Sequence, residues 1–139
     1  MDGTGCLIYD PQPKNDAEEE ESRKNTMSDS LLPLDRLMKT LAERAETRPA
    51  GSYTTKLMDG GTAKIGKKIM EEAAELIEAA DEPGDEGRNH LIYEAGDLIY
   101  HTLVLLAYRG VDLEEVASEL ARREGTSGLV EKANRNAPQ

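Results

Sequence analysis

Two helical segments of this chain carry carboxylates on faces that should be buried, and any fold the sequence adopts must accommodate them. In the first, Ile65, Ile69, Leu76, Ile77 and Ala80 recur at three- and four-residue steps, which makes one apolar stripe on an α-helix. At about 100° per residue, Glu72 falls inside that stripe, near the line joining Ile69 to Leu76. Lys68 and Glu75 sit on its edge, and Glu71 lies further round the same flank. In the second, Leu91, Ala95, Leu98, Thr102 and Leu105 or Leu106 form the expected buried stripe, while Glu94, Asp97 and His101 line one flank of it. A carboxylate on a core-facing surface is costly unless it is paired or holds a metal. Two such helices packed side by side bring Glu72, Glu75, Glu94 and Asp97 to one seam, and that seam demands a cation.

The rest of the chain reads as helix and turn. Residues 1–29 are polar and aperiodic, with Gly3, Gly5, Pro11, Pro13 and the acidic run Asp16-Ala17-Glu18-Glu19-Glu20-Glu21; they read as a disordered acidic tail. Residues 30–125 form the expected helical domain, and residues 126–139 a C-terminal extension of it that frays at its end. A first helix is expected from about Leu32 to Thr47, with Ser30 or Asp29 as cap, Pro33 in its first turn and Leu34, Leu37, Met38, Leu41, Ala42 and Ala45 as core. Ser52 to Leu57 reads as a cap and a short helix closed by Asp59-Gly60-Gly61. Long helices follow over about Thr62 to Asp81 and Glu86 to Arg109, with Pro83-Gly84-Asp85 as the turn between them. Gly110 stops the second of these, and Asp112 with Glu115 forms a capping box for a helix from Leu113 to about Glu124. No segment alternates with period two, so the class is all-α, a bundle of four to five helices. Leu98, Ile99, Leu103, Val104, Leu105 and Leu106 make one helix apolar nearly all round. Such a helix belongs at the centre of something larger, and a homodimer that completes the bundle is expected.

Composition narrows the function. A net charge of −11 over 139 residues argues against nucleic-acid backbones and anionic membrane surfaces as partners. For phosphate chemistry it requires a divalent cation, because bare carboxylates repel the substrate. The single cysteine, Cys6, allows no internal disulfide. No apolar run approaches the roughly 20 residues of a membrane helix, and Met1 to Asp10 lacks the regions of a signal peptide. Cytoplasm is the expected compartment.

Glu71, Glu72 and Glu75 taken alone also fit a solvated face paired with Lys67 and Lys68. Asp97 shifts that balance, since Asp is a poor helix former and here interrupts an apolar helix. Acids at i, i+3 on one helix facing acids at i, i+3 on its partner are how bundles make carboxylate metal sites. Oxygen ligands select a hard ion, Mg²⁺ first and Mn²⁺ second. His101 is expected as a hydrogen-bonded residue at the pocket edge, with a ligand role as the alternative, and His90 as an exposed residue of its helix's first turn. Of the lysines, Lys68 is the one placed to reach into the acids, to pair with them or to hold a phosphate oxygen.

Ser52-Tyr53-Thr54-Thr55-Lys56-Leu57, Lys67-Lys68-Ile69-Met70-Glu71-Glu72-Ala73-Ala74-Glu75, Glu94-Ala95-Gly96-Asp97-Leu98-Ile99-Tyr100-His101 and Arg109-Gly110-Val111 resemble phosphoribosyl-ATP pyrophosphohydrolase. The acid pattern alone is shared with the wider MazG-type nucleotide pyrophosphohydrolases; the Ser-Tyr-Thr segment and the Tyr-His pair narrow it. Met70 departs from the glycine usual before the paired glutamates. The resemblance implies an all-α dimer that uses Mg²⁺ to hydrolyse the α–β phosphoanhydride of phosphoribosyl-ATP, giving phosphoribosyl-AMP and pyrophosphate in histidine biosynthesis. It implies Glu72, Glu75, Glu94 and Asp97 as metal ligands and Glu71 or Glu75 as the group that orients or deprotonates water. Lys68, Lys56 and Lys64 would contact phosphates, with Ser52, Tyr53 and Thr54 closing over the phosphoribosyl end. Two other readings remain: a MazG-type housecleaning enzyme that uses the same acids on free nucleoside triphosphates, and a non-enzymatic helical adaptor dimer that docks through its acidic tail and has no role for Glu94 or Asp97.

Overall fold

Two long helices, α3 (Gly61–Ala80) and α4 (Gly84–Tyr108), form the frame of the protein and pack against each other over most of their length. The computed structural model describes residues 16–125 and 128–136. Before the frame come α1 (Asp16–Thr47) and the short α2 (Tyr53–Asp59); after it come α5 (Leu113–Arg123) and α6 (Gly128–Arg135). No strand occurs among the described residues, and no helix among them is long and apolar enough to cross a membrane. The fold is all-α.

Each boundary has a local cause. Gly84, at φ +74°, turns the chain after Asp81-Glu82-Pro83; so short a connection makes its two helices antiparallel neighbours. Gly110, at φ +68°, ends α4 in the left-handed conformation that costs glycine least. Asp112 caps α5, and the reciprocal bond from its own N–H to Glu115 completes the capping box. Ser52 caps α2 by accepting from the Thr55 N–H at 3.4 Å.

The chain divides into two compact units, one up to Leu34 and one from Asp35 onward. Pro33 lies inside α1 beside that division, where it removes one backbone donor. Instead of starting near Leu32, α1 begins at Asp16 and takes in the acidic run expected to be disordered. Glu and Ala are strong helix formers without any apolar face, and aperiodicity reports the lack of such a face rather than the lack of helix. Residues 1–15, with Cys6, lie outside the described residues.

In the second unit, Met38 and Leu41 of α1, Leu57 and Met58 of α2, Ile65 and Ala79 of α3, and Leu103, Val104 and Ala107 of α4 are buried. Each fully buried large side chain contributes about 1.5–3 kcal/mol. Arg48 closes one corner: it bonds the Ala45 carbonyl at 3.0 Å and Asp59 at 2.9 Å, and lies over the Tyr108 ring.

The faces of α4 are not distributed as its hydrophobicity suggests. Glu94 and His101, expected on a flank, are buried, whereas Thr102, expected in the buried stripe, is exposed and donates to the Leu98 carbonyl at 2.8 Å. Leu91, Ala95 and Leu98 are only half-buried and Ile99 is exposed. On α3, Ile77 is likewise exposed, although it was expected in the stripe, while Glu72 is buried. Within the single chain the acid-bearing faces are the ones turned inward.

Candidate metal centre

Glu72 and Glu75 on α3 and Glu94 on α4 bring one carboxylate oxygen each to within 4.8 Å of one another. Their spacing is the helical one: Glu75 follows Glu72 by three residues and so shares its side of α3. Glu72 and Glu94 are buried and Glu75 is exposed at the mouth of the group. Asp97, a turn beyond Glu94 and half-buried, does not join the three.

The donors fit a hard cation. The Glu94 side chain is buried, and its Oε2 has no hydrogen-bond partner. An ionised oxygen left unpaired in a protein interior is strongly unfavourable, and three carboxylates this close repel one another. A divalent ion relieves both penalties, and an all-oxygen set suits Mg²⁺ or Mn²⁺.

Lys68 reaches the group from one side, with Nζ 2.8 Å from Glu72 Oε1 and 2.9 Å from Glu71 Oε2. The hydrogen bond to Glu72, then that to Glu71, raises the lysine well above its ordinary pKa. The same bond holds Glu72 below the usual carboxylate value. Glu75 moves the opposite way, raised by loss of solvent and by the charges of Glu72 and Glu94. Glu71 is exposed and shared between Lys68 and, at 3.9 Å, Lys67.

Behind the acids lies a buried polar layer. His101 is 4% exposed and its Nδ1–H donates to the Asp97 carbonyl at 2.8 Å. In the neutral ring Nε2 then accepts from the Tyr53 hydroxyl at 3.3 Å. Nδ1 also lies 3.9 Å from Glu72 Oε1. The fully buried Thr54 shares a 2.8 Å hydrogen bond with the Tyr100 hydroxyl and accepts from Arg44 at 3.4 Å. These contacts seat α2 on α4, so that Tyr53 stands half in solvent while Thr54 is used inside the protein. Lys56 and Lys64 are exposed and lie outside the acid group. Met70 is 72% exposed, so a methionine in place of glycine is accommodated on the surface of α3.

Sequence reasoning missed His90. Its Nδ1 lies 2.9 Å from Glu82 Oε1 and its Nε2 3.0 Å from Glu94 Oε1. Hydrogen bonding to Glu82, assisted by Glu94, raises the ring above its ordinary pKa. The i, i+4 spacing of His90 and Glu94 was the available signal; Glu82 comes from before the turn and had none. The groove between α1 and the end of α4, lined by Met38, Ala42, Ala107 and Tyr108 among others, contains none of these acids.

Residues 34–124 match the family described as phosphoribosyl-ATP pyrophosphohydrolase. The phosphoribosyl-ATP pyrophosphatase of Rhodopirellula baltica is 73% identical over 111 residues, covering 80% of this chain and 92% of the relative. That of Dechloromonas aromatica is 51% identical over 102 residues, 73% of this chain and 92% of the relative. The histidine biosynthesis bifunctional protein HisIE of Wolinella succinogenes is 47% identical over 102 residues, 73% of this chain but 43% of that longer protein.

Proposed function

The chain belongs to the phosphoribosyl-ATP pyrophosphohydrolase family, and we propose that it performs the family's reaction at a divalent-metal site built by Glu72, Glu75 and Glu94. It is a hydrolase of histidine biosynthesis: water adds across the α–β phosphoanhydride of phosphoribosyl-ATP, and phosphoribosyl-AMP and pyrophosphate leave. The observation that carries the metal is the buried, unpartnered Oε2 of Glu94 beside the carboxylates of Glu72 and Glu75.

Bound Mg²⁺ supplies charge neutralisation for the phosphate oxygens and favours ionisation of water. The protein's own groups divide the remaining work. Glu72, with its negative charge fixed by Lys68, would hold the ion together with Glu94 of the facing helix. Asp97, the next acid along α4, is the proposed fourth donor. Glu75 is exposed at the mouth of the group, so it is the better candidate than Glu71 to take the proton of the attacking water. Glu71 is committed to two lysines. Lys68 has a second use once substrate is present, as a donor to a phosphate oxygen, with Lys56 and Lys64 as outer contacts. Ser52 and Tyr53 form the rim nearest solvent for the phosphoribosyl end, and Thr54 supports them from behind. A second copy of the chain covers the exposed apolar side chains of α3 and α4, and the cytoplasm is the proposed compartment.

The decisive assay is pyrophosphate release from phosphoribosyl-ATP beside ATP and dUTP, with and without Mg²⁺. Release confined to phosphoribosyl-ATP and dependent on the ion is expected. Preference for the plain triphosphates would make this a housecleaning enzyme instead, and full activity in chelator would remove the metal.

A further inference from the structure

Glu94 is held at one oxygen only. His90 approaches Oε1 at 3.0 Å while Oε2 is left buried and without a partner. His90 is held in turn: its other nitrogen lies 2.9 and 3.0 Å from the two oxygens of Glu82. A side chain on an exposed helical turn ordinarily samples several rotamers, yet here both ring nitrogens are engaged at once. Glu82 reaches this position because the backbone before α4 folds tightly over the helix. Its carbonyl oxygen sits 2.3 Å from where a Cβ on Gly87 would be, and Gly87 is buried. Glycine at position 87 is therefore what lets the Asp81–Pro83 turn close onto the first turns of α4.

We propose that His90 is a positioning residue for the metal site: a Glu82–His90–Glu94 chain fixes the Glu94 carboxylate so that its free oxygen is presented to the cation. The inference rests on the metal-site reading above. Metal ligands are commonly oriented by such outer hydrogen bonds, and losing one typically costs about 10–100-fold in metal affinity or activity. A carboxylate with both oxygens free can turn about its terminal bond, and each orientation lost to the ion weakens binding. With His90 on Oε1 the ion meets one orientation. The chain links the α3–α4 turn to the site, so the turn's geometry is part of the site's.

The test is Mn²⁺ binding to the full-length protein, followed by electron paramagnetic resonance and calorimetry with no substrate present. In His90→Ala the dissociation constant for Mn²⁺ is expected to rise about 10-fold. His90→Gln, whose amide can still donate to Glu94, recovers most of that loss, and Glu82→Ala falls between the two. At saturating Mn²⁺ the kcat of His90→Ala stays near wild type, because the defect lies in holding the ion. Unchanged affinity in His90→Ala would overturn the proposal. So would tighter binding, which would mean that the imidazole occupies the ion's place and competes with it. Because His90 and Glu82 lie at the surface, circular dichroism is expected to show unaltered helicity in all three variants. Failure of the wild-type protein itself to bind Mn²⁺ would defeat the metal-site reading, an outcome distinct from equal binding by wild type and variant.

Discussion

The hydroxyl of Tyr53 lies 3.3 Å from Nε2 of His101, and the two rings meet edge to face with centroids 6.3 Å apart. One partner is 52% exposed and the other 4%, so the contact ties a solvent-facing residue of α2 to the interior of α4. His101→Ala removes the acceptor and leaves buried space. It is expected to lower unfolding free energy by about 2–3 kcal/mol. Tyr53→Phe keeps the ring and loses one hydrogen bond, about 0.5–1.5 kcal/mol. Urea unfolding of both variants checks the order. Equal costs would mean that the hydroxyl, and not the buried ring, makes the joint.

Activity and stability should separate at Glu94. Glu94→Gln keeps the shape of the side chain but removes one of three converging charges. Without metal, that relief of repulsion should raise the thermal midpoint by a few degrees, since about 1 kcal/mol corresponds to roughly 2–8 °C in a domain of this size class. Pyrophosphate release should fall by about 100-fold or more, and Glu72→Gln and Asp97→Asn should also abolish turnover with helicity intact. A Glu94→Gln protein that is both active and unshifted in midpoint would show that the carboxylate neither holds an ion nor suffers its neighbours.

What the sequence could reveal about this site followed from which signals are periodic. Glu72 on an apolar line, the capping box at Asp112 and Glu115, and the Gly110 stop are all local, and the structure shows each of them. The meeting of Glu72, Glu75 and Glu94 followed from pairing two helices joined by a short turn. Which side of α4 turns inward did not follow. Hydropathy marks apolar faces without saying what covers them, and Leu98 and Ile99 read as core although this chain leaves them half-buried and exposed. The role of His90 was hidden for another reason: its second partner, Glu82, lies across a turn whose closure depends on Gly87 having no side chain. The start of α1 was misplaced because polar helix formers carry no period to read.

On α5, Glu119 accepts from Arg122 at 2.8 and 2.9 Å and from Arg123 at 2.8 Å. The hydrogen bonds from Arg122 and then Arg123 hold its carboxyl at about 2, well below the ordinary range of a glutamate. A carboxylate depressed on folding contributes its stability above the unfolded value and loses it as pH falls toward the folded one. The contribution of Glu119 is therefore complete at neutral pH and disappears between about 4.5 and 2. Exposed ion pairs contribute little, so Glu119→Gln should barely move the thermal midpoint at neutral pH. Side-chain carboxyl chemical shifts followed through an acid titration give the midpoint directly. A midpoint near 4.5 would show that the arginines are not held against it in solution.

Met70 and Ile77 on α3 and Ile92 and Ile99 on α4 are each separated by seven residues, so each pair forms a line along its helix, and all four are exposed. At about 100° per residue these lines lie roughly opposite Glu72 and Glu94: each helix gives its acids to the other and leaves an apolar line on its far side. Two copies burying these partly exposed residues would gain about 1 kcal/mol from each side chain, or about 8 kcal/mol for eight. Joining two bodies costs about 4–15 kcal/mol, so the two terms are of one size and a single charge on either line decides the outcome. Sedimentation velocity at micromolar concentration should therefore show a dimer for the wild-type chain and a shift toward monomer for Ile77→Glu and for Ile99→Glu, with helicity kept. A monomeric wild type would mean that these lines stay wet, whereas a dimer indifferent to both substitutions would place the contact elsewhere on the chain.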